Sequence, residues 1–384
     1  MTYPTRTNSP AVAVPTTTEV DEADLQLLLT EMAAQIDWGF GKIVSYTGSG
    51  TKSPSAATLD GQTVIVCESL SGAMVLQLPY ADQLCTAGGA GAPLAIVRRD
   101  SSAYTLTVEL QTGDKINGVA AWTSVPLAAD GDTIVLRPMN NDTFRALAVN
   151  IRPVPVEVVA SNASYAVPAG CDTVRIRDMV GEGGGSGGVD GQASANFNGY
   201  SGAGGGAAWS AVDIDVRAVA TLALVVPATG GAAGTAGAND GGNGSQASVS
   251  DGIGTVISGG GGGGKGVTAA NGAVALGGPG GTPSTSGALT NFRNLRQAAG
   301  QPGTAGICLP STSGAGVSGV GGSTPLGGGG NGTSTAGQVG TAGTGFGAGA
   351  GGSSGTNNNA ANVAGRIGQP AKIIMELHFL RPPQ

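Results

Sequence analysis

The feature that most constrains this chain is the placement of its glycines. Of 71 glycines in 384 residues, 13 fall in residues 1–180 and the other 58 in 181–384. Glycine loses more conformational entropy on folding than any other residue and has no side chain to bury. A segment of this kind cannot be held by an apolar core, so any stable fold must draw on its backbone. The charges run the other way, with 14 Asp, Glu, Lys and Arg in 181–384 against 29 before it. The chain reads as two compositional parts with a border near Gly181.

The glycine-rich part is not collagen, because a triple helix needs glycine strictly at every third residue. The runs Gly183–Gly185, 259–264 and Gly327–Gly330 break that period. Nor does it read as a linker, because strand-like pieces interrupt it: Ala211–Val216, Thr221–Val226 and the closing Lys372–Phe379. Glycine chains also adopt the extended left-handed helix with three residues per turn, which leaves every backbone group free to bond to neighbouring chains. The expected fold for these tracts is therefore a polyglycine-II-like packing. Its members are 181–188, 202–206, 230–244, 259–266, 277–281, 300–306, 314–322, 327–332 and 343–352, with Asn, Thr and Ser at the turns.

Before the border the chain divides again. Residues 1–18 lack periodicity and read as an extended arm that orders on a partner. Acidic residues at Asp21–Asp24 then open a helix, and Leu25, Leu28, Leu29, Met32 and Ile36 form one apolar stripe along it. At about 16 residues such a helix is marginal alone, so the stripe packs on the next domain or on copies of itself about a threefold axis. Residues 42–152 read as a small β-sandwich. Short strands at Thr63–Cys67, Met74–Leu78, Leu94–Val97, Tyr104–Val108 and Thr133–Leu136 are separated by turn signals such as Asp60-Gly61 and Asp130-Gly131. The stretch 131–149 reads as a terminal hairpin around Asn-Asn-Asp. The domains are thus 1–41, 42–152 and 153–384, in a mainly-β fold.

Several function classes are disfavoured. A net charge of −7 without a Lys/Arg cluster argues against nucleic acid as a partner. No apolar run is long enough to insert into a membrane, and the N-terminus has no signal-peptide h-region. The four cysteines form no C-x-x-C motif, and buried free thiols are expected in preference to a Cys67–Cys85 bridge. The single histidine, His378, excludes the usual His-based catalytic and zinc clusters and is expected on the solvent face of the last strand. Gly259 to Lys265 satisfies most of the phosphate-cradling pattern G-x-x-x-x-G-K-[ST]. Gly266 lacks the required hydroxyl, however, and no strand–turn–helix context follows. No cofactor or metal is expected, since Asp213 and Asp215 supply too few ligands and read as solvent-facing.

The order of elements in 156–384 resembles the glycine-rich C-terminal domain of tail fibres and tail-tip adhesins of tailed bacteriophages. The matching positions are Val167–Gly170, Val174–Arg177, Gly181–Gly188, Gly204–Gly206 with Trp209, Gly241–Ser245, the 259–264 run and Ala371–Phe379. The segment 282–313, holding TNFRNLRQ, and the RPPQ terminus depart from the pattern as additions. The resemblance implies a virion protein, a homotrimer docked on other tail or baseplate proteins through its N-terminus. The glycine-rich domain would meet a host-surface polysaccharide or outer-membrane protein, without catalysis.

Receptor-contact candidates are the side chains that interrupt the glycines. Phe197 and Tyr200 lie among asparagines, a combination that stacks on sugar rings and hydrogen-bonds hydroxyls; Phe292, Arg293 and Arg296 add an aromatic and two cations. The bland alternative is that these residues cap the glycine tracts or fill a trimer interface. Trp209 is expected in the core. Competing readings are a structural baseplate or capsid-attached fibre without receptor contact, and a bacterial glycine-rich surface protein. A depolymerising tailspike would need paired carboxylates on a long β-helix, which the acid-poor C-terminal part does not offer.

Overall fold

The computed structural model describes residues 42–85, 89–120, 122–139, 141–191, 198–270, 272–309, 315–355 and 362–380. The arm and the helical stripe Leu25, Leu28, Leu29, Met32 and Ile36 lie outside the described residues. In the part that follows, Thr63–Cys67 and Met74–Leu78 are not two strands but one, Thr63–Gln77. Its neighbour Lys42–Lys52 runs parallel to it and slips register on either side of Gly48, where Ser69, Gly48 and Gly50 all take positive φ. Such irregularities bend a strand sharply. The first half then pairs with Leu94–Arg99 and the second with Leu106–Glu109. The result is one bent, mixed, eight-stranded sheet in place of the expected small β-sandwich. The terminal hairpin pairs Thr133–Met139 with Thr143–Asn150.

Ile65, Met74, Leu76, Ile96, Leu106 and Ile134 point into the fold of this sheet and are fully buried. Each such side chain contributes about 1.5–3 kcal/mol relative to exposure. Arg98, a cation buried there, is stabilised by donating to the carbonyls of Leu127, Ser102 and Asp100.

Two five-stranded antiparallel sheets follow. One has the order Phe292–Ala298, Trp209–Asp215, Cys171–Val180, Lys372–Phe379, Val154–Val158. The other has the order Asn162–Ala166, Thr221–Val225, Ala247–Ser250, Gly254–Ser258, Pro283–Gly287. The segment 282–313 is therefore no simple addition, because it supplies an edge strand to each sheet. Val174, Ile214 and Met375 from the first sheet and Leu222, Leu224 and Val249 from the second join one apolar cluster, which continues into the N-terminal core. His378 is buried, not solvent-facing as expected; its strand is internal, with Thr173 directly opposite it on one side.

Beyond these sheets the chain runs into glycine, and the hydrogen bonding changes character. Gly184, Gly185 and Ser186 donate to the carbonyls of Gly205, Gly242 and Arg366, and Gly187, Gly188 and Val189 to those of Gly202, Asn239 and Val363, at 2.8–3.1 Å. Every third amide returns to the same neighbour. A β-strand would alternate between two directions, whereas a backbone with three residues per turn points successive N–H groups about 120° apart. The carbonyls of Glu182, Gly183 and Gly184 accept from Gly261, Gly231 and Ala350, so six other segments surround this tract. Residues 201–208 repeat the arrangement: Ser201, Gly204 and Ala207 donate to Ser353, Ala350 and Gly347, and Gly202, Gly205 and Ala208 to Lys265, Gly262 and Gly259. Acceptor numbers fall as donor numbers rise, so these neighbours run antiparallel.

Close approach explains the composition. A Cβ on Gly184 would overlap the Gly262 carbonyl, and one on Gly205 the carbonyl of Pro279. Ala203, Ala207, Ala348 and Ala350 are fully buried at positions where a single methyl fits. A backbone hydrogen bond contributes a net of about 0.5–1.5 kcal/mol, against about 1–2 kcal/mol to order one residue's backbone. The tracts thus depend on nearly complete bonding plus the dispersion gained by close packing.

Candidate functional site

The glycine tracts have two unlike ends. At one, Gly181, Ala208, Gly259 and Ala371 continue directly into strands of the two sheets. At the other, six connections leave the tracts at Val189, Gly234, Gly266, Thr304, Gly332 and Ser353 and return at Tyr200, Asn239, Gly277, Gly319, Thr341 and Val363. Direct bonds tie these excursions together: Gly188 to Asn239, Val267 to Gly188, Val189 to Val363, Cys308 to Ala273 and Ser318 to Thr333. Loops carried at the end of a rigid scaffold are where recognition concentrates.

Three short strands at this far end, Val274–Ala275, Gly306–Cys308 and Gly316–Val317, form a small sheet. Val274 stands opposite Ile307, and Ile307 opposite Val317. All three are exposed, and alternation carries the row on to Leu276 and Leu309, which are 65% and 51% exposed. Scattered exposed apolar residues need no explanation, but a contiguous cross-strand row of them marks an interaction surface. Sequence reasoning missed it because Val274, Ile307 and Val317 lie 10 to 43 residues apart among glycines and only the pairing register aligns them.

The sequence candidates scatter. Phe197 lies outside the described residues. Tyr200 is 1% exposed, bridged to Ser354 and with its ring against Gly316, so it closes the far end of the packing and is not a surface contact. Phe292 is also buried, in the core of the first five-stranded sheet opposite Ile214, which removes it from the contact set. Arg293 and Arg296 are exposed, but they lie on that sheet's edge strand, remote in the fold from the excursions.

There Arg296, with its neighbours Asn294 and Leu295, borders an open groove of about 890 Å³. Arg175 donates to Asp213 at 2.9 Å, Asn294 donates to the other oxygen of Asp213, and Arg177 pairs with Glu376 at 3.2 Å. Asp213 is therefore not a free solvent-facing acid. Although burial raises its pKa, the hydrogen bonds from Arg175 and Asn294 hold it below the ordinary carboxylate value. Asp215 pairs with Arg293 at 3.4 Å. Trp209, expected in the core, is half-buried on the groove wall with its indole N–H donating to Asp178 at 2.8 Å. Register shifts between Ile176 and Met179 and between Ala211 and Asp213 place bulges under the groove, and bulges re-aim side chains.

The glycine run before Lys265 binds no phosphate in this arrangement, because its amides are consumed. Gly261, Gly262 and Gly264 donate to Glu182, Pro279 and Gly185, while Lys265 pairs with Asp240. Glu182, buried within the tracts, accepts from the backbone N–H groups of Thr229, Gly230 and Ser245, each at 2.9 Å. Burial raises its pKa, but those bonds outweigh it and hold the carboxyl below its ordinary value. All four cysteines are free thiols. Burial pushes Cys67 and Cys171 up to about 12, which keeps them protonated and unreactive. Among the described residues no group of three or more His, Cys, Asp or Glu is placed to hold a metal ion. No protein-family model matches the chain, and no curated protein matches it either.

Proposed function

We propose that this chain is a virion structural protein of a tailed bacteriophage, a tail fibre or tail-tip protein that binds the host cell surface without catalysis. The observation that carries this reading is the far end: six excursions and an exposed apolar row, Val274–Ile307–Val317, held on a tightly bonded bundle of glycine tracts. The threefold bonding repeat supports describing that bundle as a polyglycine-II-like lattice. Such a lattice offers few surface side chains of its own, so specificity falls to the loops. In this reading the N-terminal arm and helix attach the protein to other tail components, and the assembled form is a homotrimer, whose closed symmetry lets each elongated chain bury a flank against two copies.

The test is binding of the full chain to host cells, to isolated outer-membrane protein and to surface polysaccharide. The comparison is a variant with Val274, Ile307 and Val317 changed to Ser. Saturable binding by the parent that the folded variant loses is the expected result. Undiminished binding by the variant removes the far end from the reading. The same apolar row favours one alternative, a spacer in which another virion protein covers that end. In that case the intact protein binds no host component, and the row is protected from solvent in the assembled particle.

A further inference from the structure

We infer that the groove on the first five-stranded sheet is a binding site for an acidic saccharide, a sugar ring carrying a carboxylate. It lies on the sheet end of the molecule, and the inference does not depend on what the far end binds.

Trp209 projects from an internal strand, and its indole N–H is fixed by Asp178, so one ring orientation is held before any ligand arrives. A half-exposed aromatic with its polar edge already satisfied offers its face for stacking. Arg296 sits on the neighbouring strand opposite Ala211, while Trp209 stands opposite Ala298. The two are therefore diagonal cross-strand neighbours on one face, about 7–8 Å apart at the backbone and within reach of a single ring and its substituent.

Charge then selects the ligand. Arg175 and Arg177 are already paired with Asp213 and Glu376. Among the described residues Arg296 makes no ion pair, so it is the guanidinium left to take a carboxylate in bidentate fashion. The three carboxylates keep unused lone pairs that accept from hydroxyl donors, and Asn294 adds amide hydrogen-bonding capacity. A bare anion such as phosphate would use Arg296 but leave the stacking face and the hydroxyl acceptors without partners. A hydroxyl-rich ring with one carboxylate satisfies the stacking face, the acceptors and the free cation together. The groove's volume suits one or two sugar rings.

The experiment titrates the full-length chain with glucuronate, glucose and acetate into the millimolar range, following the indole N–H resonance of Trp209. The expected result is a saturable shift with glucuronate, affinity for glucose lower by about tenfold or more, and no shift with acetate. The variant Arg296→Gln lies on an exposed edge and should keep the fold. It is expected to lose about tenfold in glucuronate affinity and to bind glucose as the parent does. Absence of a saturable Trp209 shift, acetate as effective as glucuronate, or unchanged glucuronate affinity in Arg296→Gln each overturns the assignment.

Discussion

In the N-terminal sheet the residues withdrawn from water are Ile65, Met74, Leu76 and Ile96; in the tract 183–188 they are five glycines and a serine. Both regions reach full burial. In the first, side chains supply the stabilisation and the backbone follows the ladder of a bent sheet. In the second, the backbone itself is the packing surface, and each amide is assigned in rotation to one of three neighbours. The difference is one of tolerance. A side-chain core can lose a methylene and relax, whereas a backbone core has nothing that can be made larger.

This contrast is sharpest at Gly184. Changing it to Val places atoms inside the Gly262 carbonyl, where only backbone is available to give way. The cost is expected to exceed the about 1–3 kcal/mol of ordinary overpacking and to unfold the tracts as a unit. Hydrogen exchange would show protection lost across 181–189, 200–208 and 259–264 while the N-terminal sheet stays protected. Loss confined to Gly184 and its immediate partners would mean the tracts are not one cooperative body.

Next in size is the converse change. Ile96→Ala should destabilise the N-terminal sheet by about 2–5 kcal/mol, as cavity-forming substitutions do. Urea unfolding followed by exchange would read it, with protection at the tract amides unaltered. Equal loss in both regions would instead show that the apolar cluster joining them makes one folding unit.

A smaller, pH-dependent effect is expected at Glu182. Its folded pKa lies below its ordinary value, so folding favours the ionised form. The stabilisation is complete above that value and is lost as pH falls through the folded pKa. Glu182→Gln should cost about 1.5–3 kcal/mol at neutral pH, the scale of hydrogen bonds to a charged group, and should flatten the acid dependence. Parallel acid unfolding curves for parent and variant would place the acid-labile point elsewhere. Smallest of all is Arg293→Ala, which removes an ion pair to Asp215 whose guanidinium is exposed and should lower the unfolding free energy by about 0–1 kcal/mol, read from urea unfolding.

The same contrast decides what the sequence could reveal. Thr63–Cys67, Leu94–Val97, Ala211–Val216 and Lys372–Phe379 carry enough β-branched and apolar residues to be read as strands directly. The edge strands Pro283–Gly287 and Phe292–Ala298 do not, because only Phe292 of the second is buried, and they passed for an addition. Glycine spacing indicated extended tracts, but it carries no information on which tract bonds to which. Six-fold coordination has no side-chain signature. The sites fared likewise. Tyr200 and Phe292 drew notice as aromatics among glycines, yet they are buried for the ordinary reason that aromatics are. The groove at Arg296 and the row at Val274, Ile307 and Val317 exist only through strand register.

The three-way rotation of donors gives the tracts a reading frame. Lengthening a tract by three residues returns every later amide to its own neighbour, as Gly184 and Gly187 both return to the segment 202–205. Adding one or two hands each later donor to the wrong chain, all along the tract. An insertion or deletion that keeps the bonding within a tract therefore has to come in triplets, whereas one in a connection between tracts leaves that phase undisturbed.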